Sequence, residues 1–172
     1  MLILGIDPGS RATGYGAILC DGPDVRLVEV GTVTRPAGEP LPRRLAALAA
    51  GIGAVADRVR PAVAVLESPF HGMNARSLIV LAQARGALIA ALAAREIEIR
   101  EFTPAEVKSA VAGNGRAGKE EVAHMVRLLL SLGARSSAGK LSADASDALA
   151  VALCCARRFR MDRISELHVG SK

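Results

Sequence analysis

Aromatic side chains are nearly missing from this chain. It has no tryptophan, one tyrosine and three phenylalanines, 2% of its residues. Its core cannot be assembled around stacked rings and must come from Ala, Leu, Val and Ile. Hydrophobic residues make up 51% of the chain, enough to bury a real core and to exclude a disordered polymer. Cysteine is scarce as well. Cys20, Cys154 and Cys155 are odd in number and form no C-x-x-C pair, which excludes a disulfide framework and points to reduced core thiols of a cytosolic protein. No basic stretch precedes the first apolar run, so a signal peptide is not expected. The most apolar segment, Ser77 to Ala94, is interrupted by Gln83, Arg85 and Gly86 and reads as too broken to span a bilayer. A cytoplasmic location follows as the expectation. Acids are outnumbered, 17 against 22 Lys and Arg, for a net charge of +5. A basic surface suits a nucleic-acid partner, although a mildly basic soluble protein shows the same balance.

The acids that are present fall in telling places. Asp7 closes the apolar run Leu2-Ile3-Leu4-Gly5-Ile6 and is followed by the turn Pro8-Gly9-Ser10. Glu67 closes a second run, Ala62-Val63-Ala64-Val65-Leu66. Asp144 and Asp147 open an Ala-rich apolar helix and, three positions apart, share one of its faces. A carboxylate at the end of a buried element is costly unless it is paired or binds a cation. Four such acids together predict a divalent-metal site acting on phosphates, able to hold two Mg²⁺ ions about 4 Å apart.

The order of elements supports this grouping. Leu2–Asp7, Tyr15–Cys20 and Val25–Thr34 read as consecutive strands, the last two joined by the turn Asp21-Gly22-Pro23-Asp24. Leu41 to Val59 has helical periodicity. Ala62–Leu66 suits a buried parallel strand, followed by a helix from about Ala75 to Arg95 and a short strand at Glu98–Phe102. Thr103-Pro104-Ala105-Glu106 is a capping box that starts a helix ending at Gly113. Helices at Lys119 to Leu132 and at about Ala143 to Phe159, the latter capped by Ser142, complete the set. The expectation is one α/β domain over residues 1–160, a five-stranded mixed sheet with helices on both faces, and a polar tail at 161–172. Ligand sites of such sheets gather at the C-terminal ends of their strands, where Asp7 and Glu67 lie. The helix at Ser77 to Ala94 is apolar almost all round, with Leu78, Ile79, Leu81, Leu88, Ile89 and Leu92, and Leu81 or Leu88 is expected on its outward stripe. One sheet face can cover only one stripe of it, so the other predicts a two-fold homodimer, unless the last two helices cover it.

Two loops carry competing meanings. Gly113-Asn114-Gly115-Arg116-Ala117-Gly118-Lys119 fits the first seven places of a phosphate-binding loop, but Glu120 stands where Ser or Thr must bind Mg²⁺, and the loop follows a helix instead of a strand. A linker, or a backbone and lysine contact to DNA phosphate, fits better than nucleotide binding. Phe70 lies in the loop Ser68-Pro69-Phe70-His71-Gly72-Met73-Asn74. It could stack on bases beside a phosphodiester site or fold back onto the core. A loop histidine is most often solvated, so His71 is left out of the metal set.

At these residues the chain resembles the RuvC family of bacterial Holliday-junction resolvases. The matching parts are Gly5-Ile6-Asp7-Pro8-Gly9 with Thr13-Gly14-Tyr15-Gly16, Glu67 with Phe70, Asn74 and Gln83-Ala84-Arg85-Gly86, Pro104 to Lys108, His124-Met125-Val126, and Ala143 to Ala150. The resemblance implies an RNase H-like fold (retroviral integrase superfamily) and paired, metal-dependent nicking of two strands of a four-way DNA junction in recombination and repair. It implies Asp7, Glu67, Asp144 and Asp147 as catalytic metal ligands, with Lys108 and Lys119 as basic catalytic residues. Phe70, Asn74, Arg76, Lys108 and Lys119 become the expected DNA contacts. Mg²⁺ is the implied cofactor, with Mn²⁺ able to substitute, and a homodimer and the RuvA–RuvB branch-migration complex are the implied partners. Two other classes share part of the pattern. The Asp7-Pro8-Gly9-Ser10 start resembles the phosphate loop of actin-like ATPases, but 172 residues are too few for their two domains. A nuclease of the same fold acting on RNA or an RNA–DNA hybrid is the alternative that the residues alone do not separate.

Overall fold

The computed structural model describes the backbone of residues 1–68, 74–132 and 141–169, with side chains through 161. Five strands form one sheet: β1 (Leu2–Asp7), β2 (Ala12–Asp21), β3 (Asp24–Thr34), β4 (Val63–Glu67) and β5 (Glu98–Phe102). Their order across the sheet is β3-β2-β1-β4-β5. The β1–β2 and β2–β3 pairs are antiparallel, while β1–β4 and β4–β5 are parallel. Short turns can join only antiparallel neighbours, and the two parallel joins each use a crossover helix. These helices are α1 (Leu41–Val59) and α2 (Ala75–Ala93). Three more follow: α3 (Pro104–Ala112), α4 (Lys119–Leu129) and α5 (Ala143–Val169). The expected mixed sheet with helices on both faces is what the chain forms.

Strand alternation sorts the core into two halves. Leu4, Ile6, Ala64 and Leu66 face α1 and α2 and pack with Ile52, Val55, Leu88 and Leu92. Ile3, Val63 and Val65 face the other way and pack with α3, α4 and the buried run from Leu149 to Ala156 of α5. With a period of two, Asp7 and Glu67 fall on this second face. Both α5 thiols lie in this core, and burial pushes each up to about 12, which keeps them as inert thiols.

Two local features place α5. The Ser142 hydroxyl accepts the backbone N–H of Ala145 at 3.2 Å and meets the Thr32 hydroxyl at 2.7 Å, tying the helix start to β3. On β1 and β2, Gly5 and Gly14 carry no Cβ because there is no room for one. A Cβ on Gly14 would enter the carbonyl of Asp144, and one on Gly5 would enter that of Ala148. The helix therefore rests directly on the sheet backbone. Gly14→Ala must push back a main chain that cannot rotate away. It is expected to cost about 3 kcal/mol, a fall in melting temperature on the order of 10 °C, read by thermal denaturation.

Three expectations change. The last helix continues to Val169 instead of ending near Phe159. Residues 160–169 contain neither Gly nor Pro, and polarity marks exposure, not a helix end. The outward face of α2 is also not where Leu81 or Leu88 lies. Leu88 is buried and Leu81 half-buried, while Leu78 and Ile79 face out, Ile79 by 59%. The last two helices do not cover that stripe, because they pack on the opposite side of the sheet from α1 and α2. Finally, α2 is the one helix among the described residues that is long and apolar enough to cross a membrane, by length and composition only. Its Arg85 is buried and ion-paired with Glu101 at 2.6 Å, so the interruptions counted against a span are built into the fold.

Candidate active site

The parallel register sets Ile6 beside Leu66, so Asp7 and Glu67 leave adjacent strand ends on the same face. The N-terminus of α5 lies over that edge on the glycine seam and brings Asp144 and Asp147 to it. The charges of Asp147, Asp144 and Glu67 all act on Asp7, so carboxylates from three distant stretches of chain lie toward one edge of the sheet. A cavity of about 310 Å³ opens between them and α3–α4, lined by Asp7, Glu67, Lys108, Lys119 and Asp147 above an apolar floor that includes Val107 and Val151. A larger cavity of about 740 Å³ lies elsewhere, between the β2–β3 turn and α3–α5, and includes none of the four acids. The chemistry locates the site; the volume does not.

The electrostatics follow from the geometry. Burial, and then the charges of Asp147, Asp144 and Glu67, raise the Asp7 carboxyl from 3.8 to about 7. Glu67 is raised by burial and by Asp147, partly offset by Lys119 and Lys108. Repulsion of this kind is relieved by a bound cation or by a proton. The donors are all carboxylate oxygens, the set that suits hard divalent ions such as Mg²⁺ and Mn²⁺. Lys119, at the start of α4, meets this charge first. Its ammonium donates to Asp147 Oδ2 at 2.7 Å, which raises the lysine further. Among the described residues, no three His, Cys, Asp or Glu groups stand close enough together to hold an ion as they are.

The other expected residues distribute as follows. Lys108 projects from α3 into the cavity wall. The loop from Gly113 to Gly118 is an ordered turn: Gly113 caps α3 at φ +76°, and the Asn114 side chain accepts the N–H of Arg116 at 3.0 Å. It aims Lys119 at the acids and holds no nucleotide fingerprint. Asn74 is the N-cap of α2, accepting the N–H of Ser77 at 2.9 Å. Arg76 is exposed on the first turn of the same helix. Phe70 lies outside the described residues. One residue had been matched by motif without a role. Buried Arg85 donates from Nη1 to the main-chain carbonyl of Glu67 at 2.5 Å and holds Glu101 with Nη2. An arginine inside an otherwise apolar helix was the available signal, since such a charge is kept only where it is paired.

Comparisons with known proteins bear on the family and the fold. Residues 3–155 match the family model of the crossover junction endodeoxyribonuclease RuvC. The curated RuvC of Chloroflexus aggregans is 44% identical over 154 residues, 90% of this chain and 92% of that protein. That of Bordetella parapertussis is 43% identical over 177 residues, covering all of this chain and 94% of its own. Among solved structures, T. thermophilus RuvC in complex with Holliday junction substrate superposes with a TM-score of 0.86 at 32% identity, over 94% of this chain and 96% of that one. The yeast mitochondrial Holliday junction resolvase, at 14% identity and a TM-score of 0.70, over 96% of this chain and 83% of that one, shares the fold. With its RNase H-like sheet, its four acids at one edge and its likeness along nearly the whole length, the chain belongs to the RuvC family of crossover junction endodeoxyribonucleases.

Proposed function

We propose that this chain resolves four-way DNA junctions as a homodimer, each protomer hydrolysing one phosphodiester with divalent metal held by Asp7, Glu67, Asp144 and Asp147. The observation that carries the proposal is the repelling carboxylate cluster at the β1–β4 edge, faced by Lys108 and Lys119. Mg²⁺ is the proposed metal, two ions per site, with Mn²⁺ as substitute. Bound there, it supplies a nucleophilic water and a stabilised leaving oxygen. The chain's own residues do the rest. Asp7 and Glu67 are fixed by their strands, and Glu67 is fixed again by the Arg85 clamp on its carbonyl. Asp144 and Asp147 are fixed by the seated helix. Lys119 can exchange Asp147 for a non-bridging phosphate oxygen, and with Lys108 it faces the charge that grows in the transition state. Phe70 is proposed as the aromatic that stacks at the junction centre, and Asn74 and Arg76 as contacts to the strand entering past α2.

The homodimer rests on the open stripe of α2. Ala75, Ile79, Ala82, Gly86, Ala90 and Ala93 face outward at helical spacing. A second copy supplies the matching stripe and a second site for the second strand. A cytoplasmic setting and the RuvA–RuvB branch-migration complex as partner complete the proposal.

A substrate panel tests it. With Mg²⁺, cleavage of a four-way junction is expected to exceed that of linear duplex or RNA–DNA hybrid by at least about a hundredfold, since a contact set built for a bent crossover is lost on a straight helix. Equal or faster hybrid cleavage would replace the proposal with an RNA-directed nuclease. Affinity for the junction is expected to fall steeply with salt. Lys119→Ala should flatten the log-affinity against log-salt slope by about one if its ammonium meets one phosphate. An unchanged slope restricts Lys119 to chemistry.

A further inference from the structure

A second basic recess lies on the other side of the catalytic edge. Ser10 and Arg11, which follow the turn after Asp7, line a cavity of about 360 Å³ with Arg44 of α1 and with Arg76 and Ser77 of α2. Three arginines line this recess, whereas Lys108 and Lys119 line the cavity at the acids. Arg44 is 9% exposed, although it is charged. Its Nη1 donates to the carbonyl of Ala37 at 3.1 Å, which fixes the side chain, yet its buried Nε has no partner among the described residues. The nearby acid, Glu39, is engaged by Arg35 through two bonds of 2.9 Å. Arg11 and Arg76 are exposed and have no side-chain partner among the described residues. Glu39 lies within electrostatic reach of Arg44 but makes its hydrogen bonds to Arg35, and a buried donor left unsatisfied is costly.

We propose that Arg11, Arg44 and Arg76 form an anchoring site for a backbone phosphate of the DNA strand that leaves the catalytic edge on the α1–α2 side. The proposal rests on the junction-nuclease assignment and adds a separate subsite to it. A phosphodiester fits because it presents two non-bridging oxygens to planar forks, a match that lysine does not make. It also fits by continuity, because Ser10 and Arg11 carry the chain directly from Asp7 into the recess. A strand whose scissile phosphate sits at the acids then has a neighbouring phosphate held on each flank, by Lys108 and Lys119 on one and by the arginines on the other.

The test uses the full chain and a four-way junction. Binding is measured against salt in EDTA, and cutting in Mg²⁺, for wild type, Arg11→Ala, Arg44→Lys and, as a charge-matched control on the far end of α4, Arg127→Ala. Arg11→Ala and Arg44→Lys should each weaken junction binding about five- to tenfold near 0.1 M salt, and Arg11→Ala should lower the salt slope by about one. The cutting rate of the saturated complex should stay within about twofold, because an anchor acts through binding. Arg127→Ala should alter neither. The proposal is overturned if Arg11→Ala keeps wild-type affinity and slope, if the control loses as much, or if the saturated rate falls while affinity holds. Arg11 is exposed, so its variant decides the matter even if Arg44→Lys fails to fold. Wild type that does not cut the junction at all would refute the function instead, and is seen before any variant is compared.

Discussion

Asp7→Asn is expected to abolish nicking, to keep junction affinity within about tenfold of wild type, and to raise the melting temperature of the metal-free protein. The three outcomes share one cause. The Asp7 carboxyl is raised because it is buried and lies among the charges of Asp147, Asp144 and Glu67. A carboxyl with a higher folded than unfolded pKa holds its proton better in the native state. As pH rises from the ordinary value of 3.8 to about 7, the unfolded chain ionises first and native stability falls. Above about 7 the full penalty is present, and below 3.8 it is absent. Asn carries no charge, so the gain should be largest at neutral pH and vanish near pH 4. The site opens to solvent, so the expected gain is about 1–2 kcal/mol, or about 3–6 °C, below the ceiling the full shift would allow. Mg²⁺ should raise the melting temperature of wild type and do so far less for the variant. Ca²⁺ should support binding without turnover, since its looser coordination places water poorly. Calorimetry across pH and a nicking assay check these points. Parallel loss of binding and cutting, with a lowered melting temperature, would mean that Asp7 is structural.

Ile79→Asp should convert the protein to monomers at micromolar concentration and reduce paired incision by at least about tenfold, leaving single nicks. A carboxylate placed at the centre of an apolar two-fold interface meets its own symmetry mate, so the penalty is counted twice. Ile79 is 59% exposed in the single chain, so the fold itself should tolerate the change within about 0.5 kcal/mol. Sedimentation of variant and wild type reads the result. Wild-type protein that sediments as a monomer at that concentration removes the homodimer from the proposal.

Much of this was legible in the chain because its signals are local. The ends of β1 and β5, the capping box at Thr103 and Glu106, and the spacing of Asp144 and Asp147 depend on neighbours a few positions away, and the structure places them as read; β2 instead starts three residues before Tyr15, at Ala12. The capping box forms in both directions, with Thr103 accepting from the Glu106 N–H and Glu106 accepting from Thr103. Burial in three dimensions was less legible. Leu81 and Leu88 look as apolar as Leu78 and Ile79, and only the packing of α1 on α2 decides which of them face out. Polarity alone does not mark the end of α5, which continues to Val169. Arg44 and Arg85 could be named as arginines, but their roles depend on atoms far away in sequence: the carbonyl of Glu67 for one and an unfilled recess for the other.

The glycine seam beneath α5 bears on how the enzyme is made. Asp7 and Glu67 leave the ribosome before Asp144 and Asp147. Until α5 settles onto Gly5 and Gly14, one face of the sheet lacks its cover and two of the four acids have no position. Domains acquire their packing as units during synthesis. On the proposed site, a chain that has not yet added α5 is a harmless one: the ability to break DNA would arrive only with this helix, together with the cover of that sheet face.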